Sequence, residues 1–202
     1  MTIIIILITC LVSIAAFNRH DLMDKLQFNA SKIYHRKEYH RLITHGFVHA
    51  NWEHLIVNMI VLFSFGRAIE VYFQYGFGRM ANAWYLLLYF GGMIVSNAYA
   101  IIKHRNNYYY NAVGASGAVS AVLFSAIFFD PWNKIYFFGV LPVPGILFAV
   151  LYLAYSYYMS RKQNDNIAHD AHFLGALYGF VLPVLLNPQY LERFLDKLFR
   201  LI

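Results

Sequence analysis

Charge is what this sequence is short of. Asp, Glu, Lys and Arg make up 13% of its 202 residues, where a soluble globular domain carries about 25%. That is too little to solvate the whole surface of a water-soluble domain. Cysteine is nearly absent too. Cys10 is the single one, which excludes an intramolecular disulfide, and its place inside an apolar run suits a small packed hydrophobe. With 5 prolines and 12 glycines, there is no proline-rich or glycine-rich linker, no low-complexity stretch and no internal repeat. One domain over residues 1–202 is the economical reading. The first apolar run has no basic segment before it and no small-x-small cleavage site after it, so it reads as a retained span and not as a signal peptide. The net charge is +6, but the Lys and Arg residues lie in the gaps between apolar runs. This pattern points to anionic lipid headgroups and away from nucleic acid.

What is present is length in apolar runs. Hydrophobic residues reach 60%, and several runs approach the roughly 20 residues needed to cross a bilayer core. Six spans are expected, over residues 2–17, 51–68, 81–102, 112–129, 135–159 and 171–186. Asp130-Pro131 closes the fourth and Asn187-Pro188 the sixth. Residues 18–50 form a long mixed connection that suits short interfacial helices. In residues 188–202, Leu191, Phe194, Leu195, Leu198, Phe199 and Ile202 follow helical spacing. This predicts an amphipathic C-terminal helix on the membrane surface or folded against the bundle. The expected fold class is therefore all-α: a polytopic membrane protein of six transmembrane helices.

Polar side chains at membrane depth are costly unless paired, so they mark function. Here they gather at the starts of the even spans: His54 and Asn58 in the second, Ser116 in the fourth, His172 in the sixth. Counting spans puts these three starts on one side, where they can share a wet pocket. Ser116 sits in Gly114-Ala115-Ser116-Gly117 at a helix start, whose unpaired N–H groups suit a developing oxyanion. Ser with flanking Gly is equally a helix-packing device. A serine needs a base to become a nucleophile, and His172 can serve. Gly175 and Gly179 lie four apart on one face, with His172 three residues before the first, so a helix packed on those glycines meets the histidine. Gly117, Ala118 and Ala121 give the fourth span a similarly small surface. His54 and Asn58, four apart, can donate to an oxyanion or simply brace helices. His45 and His49 suit holding the long connection against the bundle better than a metal. His169 and Asp170 read as solvated loop residues, and Ser120 as a packing residue.

These motifs together resemble the rhomboid family of intramembrane serine proteases over roughly residues 40–182. Gly114-Ala115-Ser116-Gly117 resembles its nucleophile motif, and Ala171-His172-x-x-Gly175-x-x-x-Gly179 its histidine motif. His45-Gly46-Phe47-Val48-His49, followed by His54-x-x-x-Asn58 and Gly66-x-x-x-Glu70, is similar to its second-span pattern. The resemblance implies a rhomboid-like bundle and a Ser116–His172 dyad without an acidic third member. It also implies oxyanion support from His54 and Asn58, and no metal or cofactor. Its substrates would be single-span membrane proteins, and its place a bacterial cell membrane with the site outside and both termini cytoplasmic. Two departures stand out. Many members carry a tyrosine one turn after the nucleophile, on which the histidine stacks; here that position is Ser120. No Trp is followed by Arg in the first long loop. The charges also run against the implied orientation, which leaves ten of the 16 Lys and Arg residues outside and six inside, whereas positive charge favours the inside. The competing readings are a non-catalytic relative that holds membrane helices, and a transporter or haem-binding protein using its histidines.

Overall fold

A computed structural model describes residues 1–137, 139–162 and 167–199. The chain folds as helices in the order α1 (Thr2–Phe17), α2 (His20–Leu26), α3 (Ala30–Arg36), α4 (Arg41–Thr44), α5 (Trp52–Phe77), α6 (Ala81–Ser96), α7 (Ala98–His104), α8 (Ser116–Phe129), α9 (Gly145–Lys162), α10 (His169–Leu186) and α11 (Gln189–Phe199). Two short antiparallel ladders interrupt them. β1 (Phe28–Asn29) pairs with β2 (Asn111–Ala112), Phe28 opposite Ala112. β3 (Lys134–Phe137) pairs with β4 (Leu141–Pro144), Lys134 opposite Pro144.

The bundle is built around α8. Every residue from Gly117 to Phe128 is buried, as expected of a helix that is apolar on all sides and therefore central. Helices α5, α6 and α10 pack around it, α1 packs on α5, and α9 packs on α10. Leu62 and Ile69 of α5, Tyr85 and Leu88 of α6 and Val122 of α8 share one core cluster. The outward faces stay apolar: Leu11 is 70% exposed, Ile60 60% and Val150 59%. So broad an apolar belt is foreign to a water-soluble monomer. Among the described residues, two helical stretches are long and apolar enough to cross a membrane, Trp52–His104 and His169–Leu186. Thr2–Phe17 and Ser116–Phe129 are apolar but shorter.

Several boundaries differ from those expected: α5 runs on to Phe77, past the expected end at residue 68, and three others shift for identifiable reasons. Helix α8 begins at Ser116 and not near residue 112, because Asn111 and Ala112 are drawn into the ladder with Phe28 and Asn29. The helix expected over residues 81–102 breaks at Asn97, whose buried side chain bonds to His45, to Ser96 and to the Met93 carbonyl. The helix expected from Ile135 starts at Gly145 instead. Pro142 and Pro144 fall in the preceding segment, which proline keeps from being helical, and it pairs as a hairpin instead. The connection over residues 18–50 holds the short helices α2, α3 and α4. Buried Arg41 ties it together, donating to Glu38 Oε2 at 2.6 Å, to the Asp24 carbonyl at 2.6 Å and to the Gln27 carbonyl at 2.8 Å. Helix α11 folds back on the bundle through Phe194, which stacks on Phe128, and Tyr190, which meets Phe77 and Phe129.

Glycine sets the separation of the central helices. A Cβ on Gly175 would collide with the backbone carbonyl of Gly117, and one on Gly179 with that of Ala121. Helices α8 and α10 therefore touch backbone to backbone over two turns. On the far side of the bundle, a Cβ on Gly66 would lie 2.6 Å from Tyr85 Oη and 2.8 Å from Thr2 Oγ1. Those two oxygens are themselves 2.8 Å apart, and Glu70 accepts from the Thr2 N–H at 2.8 Å. The Gly66-x-x-x-Glu70 spacing thus docks α1 on α5. Gly179→Ala forces α8 and α10 apart and is expected to destabilise the fold by about 1–3 kcal/mol. Leu177→Ala, on the exposed side of α10, should stay within about 0.5 kcal/mol. Equilibrium unfolding of both variants in detergent micelles checks the difference.

Candidate active site

Ser116 is the first residue of α8 and is partly exposed. The turn before it depends on Gly114, whose φ of +108° lies in the region that favours glycine. Space enforces the same choice, since a Cβ there would lie 2.5 Å from Cε1 of His54. The imidazole of His54 thus lies against the loop that leads into Ser116. Asn51 caps α5, accepting from the His54 N–H at 2.8 Å. One turn further on, buried Asn58 donates from Nδ2 to the His54 carbonyl at 2.8 Å. An amide nitrogen has two hydrogens, so that bond uses one donor.

Two other histidines hold the loop from behind. The Gly114 N–H donates to the His45 carbonyl at 3.0 Å, and the Ala115 N–H donates to His49 Nε2 at 3.4 Å. The tautomer of His49 follows from its partners. Ser13 Oγ donates its proton to the Phe47 carbonyl at 2.8 Å. At its 2.9 Å contact with His49 Nδ1 it must therefore accept, which leaves Nε2 as the acceptor for Ala115. His45 is fixed in the same way: Nδ1 donates to the Arg41 carbonyl at 2.8 Å, and Nε2 accepts from Asn97 at 3.0 Å. Both histidines are buried and both are neutral. Burial pulls the imidazolium pKa of His45 down to about 4 and that of His49 to about 3. Two neutral rings at i, i+4 engaged in this way brace the loop. Among the described residues, no group of three or more His, Cys, Asp or Glu is arranged to hold a metal ion.

His172 lies in the first turn of α10 and is partly exposed. The Gly117–Gly175 contact sets its level against α8, and the Ala171 carbonyl lies 3.6 Å from where a Gly117 Cβ would be. The close approach to α10 is thus made by Gly117, the residue after Ser116, and by Gly175, three residues after His172. The His172 ring is roughly parallel to that of Tyr152 from α9, with centroids 6.4 Å apart and planes at 25°. His169 meets it edge-on at 6.1 Å. Ser120, one turn after Ser116, is buried and 2.8 Å from Tyr152 Oη. The structure therefore brings Ser116, His172, His54 and Asn58 to one end of α5, α8 and α10, with Gly114, Gly117, Gly175 and Gly179 at the close approaches.

Residues 36–189 match the Rhomboid domain. The chain belongs to the rhomboid family. RHOMBOID-like protein 12, mitochondrial, of Arabidopsis thaliana is 27% identical over 79% of this chain and 50% of its own length. RHOMBOID-like protein 4 of the same plant is 35% identical over 74% of the chain and 35% of its own length. Rhomboid protease GluP of Bacillus subtilis (strain 168) is 27% identical over 71% of the chain and 25% of its own length. The chain thus spans half or less of the length of these curated relatives. As a rhomboid, it is an integral membrane protein.

Several residues around this rhomboid site were not legible in the sequence. His169 was expected to be a solvated loop residue, yet it is buried in the first turn of α10 beside His172 and Tyr155. Tyr152 had no sequence signal at all, being one of four tyrosines between residues 152 and 158. Asp170 is 3.6 Å from Lys103, on the side of α7.

The neutral histidines give a pH dependence. Between about pH 4 and 6.5, the unfolded chain protonates His45 while the folded chain does not. The stabilisation is therefore complete above about pH 6.5 and is lost as pH falls toward about 4. The His45 share is on the order of 3 kcal/mol. Unfolding free energies at pH 7 and pH 4 should differ by at least that much in the wild type, and by less in His45→Gln, which keeps a donor and an acceptor but does not titrate.

Proposed function

We propose that this chain is an intramembrane serine endopeptidase that cleaves single-span membrane proteins with a Ser116–His172 dyad. The observation that carries this reading is the glycine-to-glycine contact of α8 and α10, which seats the first turns of the two helices side by side. In this mechanism His172 takes the Ser116 proton as Oγ attacks the scissile carbonyl. The oxyanion that forms lies at the start of α8, where the Ser116 N–H and the helix dipole face it. His54, pressed against Gly114, and the remaining Asn58 donor complete its support. His172 then returns its proton to the leaving amine, and a water deprotonated by the same ring releases the acyl group from Ser116. No metal or cofactor takes part in these steps.

The proposed placement is six spans, formed by α1, α5, α6, α8, α9 and α10, as a single domain over residues 1–202, with α11 as its amphipathic C-terminal helix. Both termini face the cytoplasm and the site faces outward, in a bacterial cell membrane. The excess of Lys and Arg on the outer side is compatible with this orientation, because many of those charges have structural partners. Arg41 is buried with Glu38, Lys32 pairs with Asp24 at 3.1 Å, and Lys103 pairs with Asp170. Arg161 lies 4.7 Å from the Tyr157 ring centroid.

Purified wild type, Ser116→Ala and His172→Ala, incubated in detergent with a panel of single-span substrates, test the proposal. Wild type is expected to cleave at least one substrate and to be labelled by a serine-directed covalent probe. Each variant should lose about a thousandfold or more in rate while its unfolding midpoint is kept. Undiminished cleavage in either folded variant sinks the dyad. Folded wild type that takes up no probe points to a non-catalytic helix-binding protein.

A further inference from the structure

Ser120 and Tyr152 occupy one slot between them. Residue 120 lies four positions after Ser116, hence on the same face of α8, directly beneath the nucleophile. Its side chain is only a hydroxymethyl group, and the space beyond it is filled by the phenol of Tyr152, whose Oη lies 2.8 Å from Ser120 Oγ. The Tyr152 ring is wedged against Phe124 of α8, with centroids 5.4 Å apart, and against Phe148 of its own helix at 5.6 Å. Its remaining face lies toward His172, within the 4.5–7 Å range of an offset stack.

We infer that Tyr152 is the positioning residue for His172, so that the platform for the base comes from α9 instead of from the helix that carries the nucleophile. This rests on the protease reading above. Two rings of α9 meet two histidines of α10: Tyr152 lies against His172, and Tyr155 meets His169 edge-on at 5.5 Å. His169 in turn meets His172 edge-on. Among the described residues, Tyr152 thus lies roughly parallel to the His172 ring and His169 roughly perpendicular to it, which limits its rotation about χ1 and χ2. The Ser120 hydroxyl serves the platform indirectly by holding the phenol in place. A ring misaligned by a few tens of degrees leaves substrate binding intact and slows proton transfer, so the effect belongs in kcat and not in KM.

The test uses the full chain in detergent with a substrate that wild type cleaves and Ser116→Ala does not. That control separates failure of the protease reading from failure of this one. Tyr152→Leu is expected to lower kcat by about tenfold or more with KM within about twofold. Tyr152→Phe and Ser120→Ala remove the same hydrogen bond from its two ends. Each should cost less than about fivefold in kcat, and the double variant no more than the worse single one. Ser120→Tyr combined with Tyr152→Leu returns a ring to the slot from α8, and should recover at least about a third of wild-type kcat. A part that was merely structural would lower the unfolding midpoint without being rescued by moving the ring. A folded Tyr152→Leu within about twofold of wild-type kcat overturns the inference, as does a folded double variant no better than Tyr152→Leu. If Tyr152→Leu does not fold, Tyr152→Phe decides. It keeps the ring, so a loss of about tenfold or more in its kcat overturns the inference, and a smaller loss supports it.

Discussion

The backbone contact between α8 and α10 is the constraint on which the rest depends. Lipid gives helices no hydrophobic reason to associate, so association rests on close packing and on the absence of side chains in the way. Gly175 on the Gly117 carbonyl and Gly179 on the Ala121 carbonyl meet that condition two turns in succession. The contact fixes both the distance between the helices and their register. The register puts Ser116 and His172 at one level, since each lies within three residues of the first glycine pair. A side chain at either glycine of α10 would move the histidine as well as loosen the bundle.

A second constraint is the cost of buried polar groups. The loop before Ser116 buries the backbone N–H groups of Gly114 and Ala115, and each must find an acceptor. The carbonyl of His45 and the ring nitrogen of His49 supply two. Those histidines are themselves satisfied, through Arg41 and Asn97 in one case and through Ser13 in the other. Nearly every polar side chain in this network is buried and neutral, which avoids the larger cost of an enclosed charge. The long connection over residues 18–50 therefore has a structural purpose. The segment that follows its short helices carries the two histidines that hold the loop before Ser116, and Arg41 ties those helices together.

Ser120 stands where the rhomboid resemblance leads one to expect a tyrosine, and its hydroxyl meets the phenol of Tyr152, whose ring lies beside His172. A ring beside the histidine can come from either α8 or α9, and here it comes from α9. The three shifted helix boundaries have a common cause. Asn111, Asn97 and the segment with Pro142 and Pro144 each sit in apolar stretches long enough to look continuous. The helix stops in each case where a backbone or side-chain polar group has a partner elsewhere, or where proline has no N–H to give.

The sequence by itself determined the class of molecule, the helical architecture and the four residues at the candidate site. The reasons are local: too little charge for water, apolar runs near bilayer length, and motif spacings that place Ser116, His172, His54 and Asn58 in the first turns of three helices. It also held the glycine spacing on α10, because i, i+4 places two residues on one face whatever the fold. Only the tertiary structure decided what faces those residues. Which carbonyl fills the space at Gly179, which acceptor takes the Ala115 N–H, and which of four neighbouring tyrosines reaches His172 all depend on contacts between segments far apart in the chain. Periodicity within one helix carries no information about the rotation of the next.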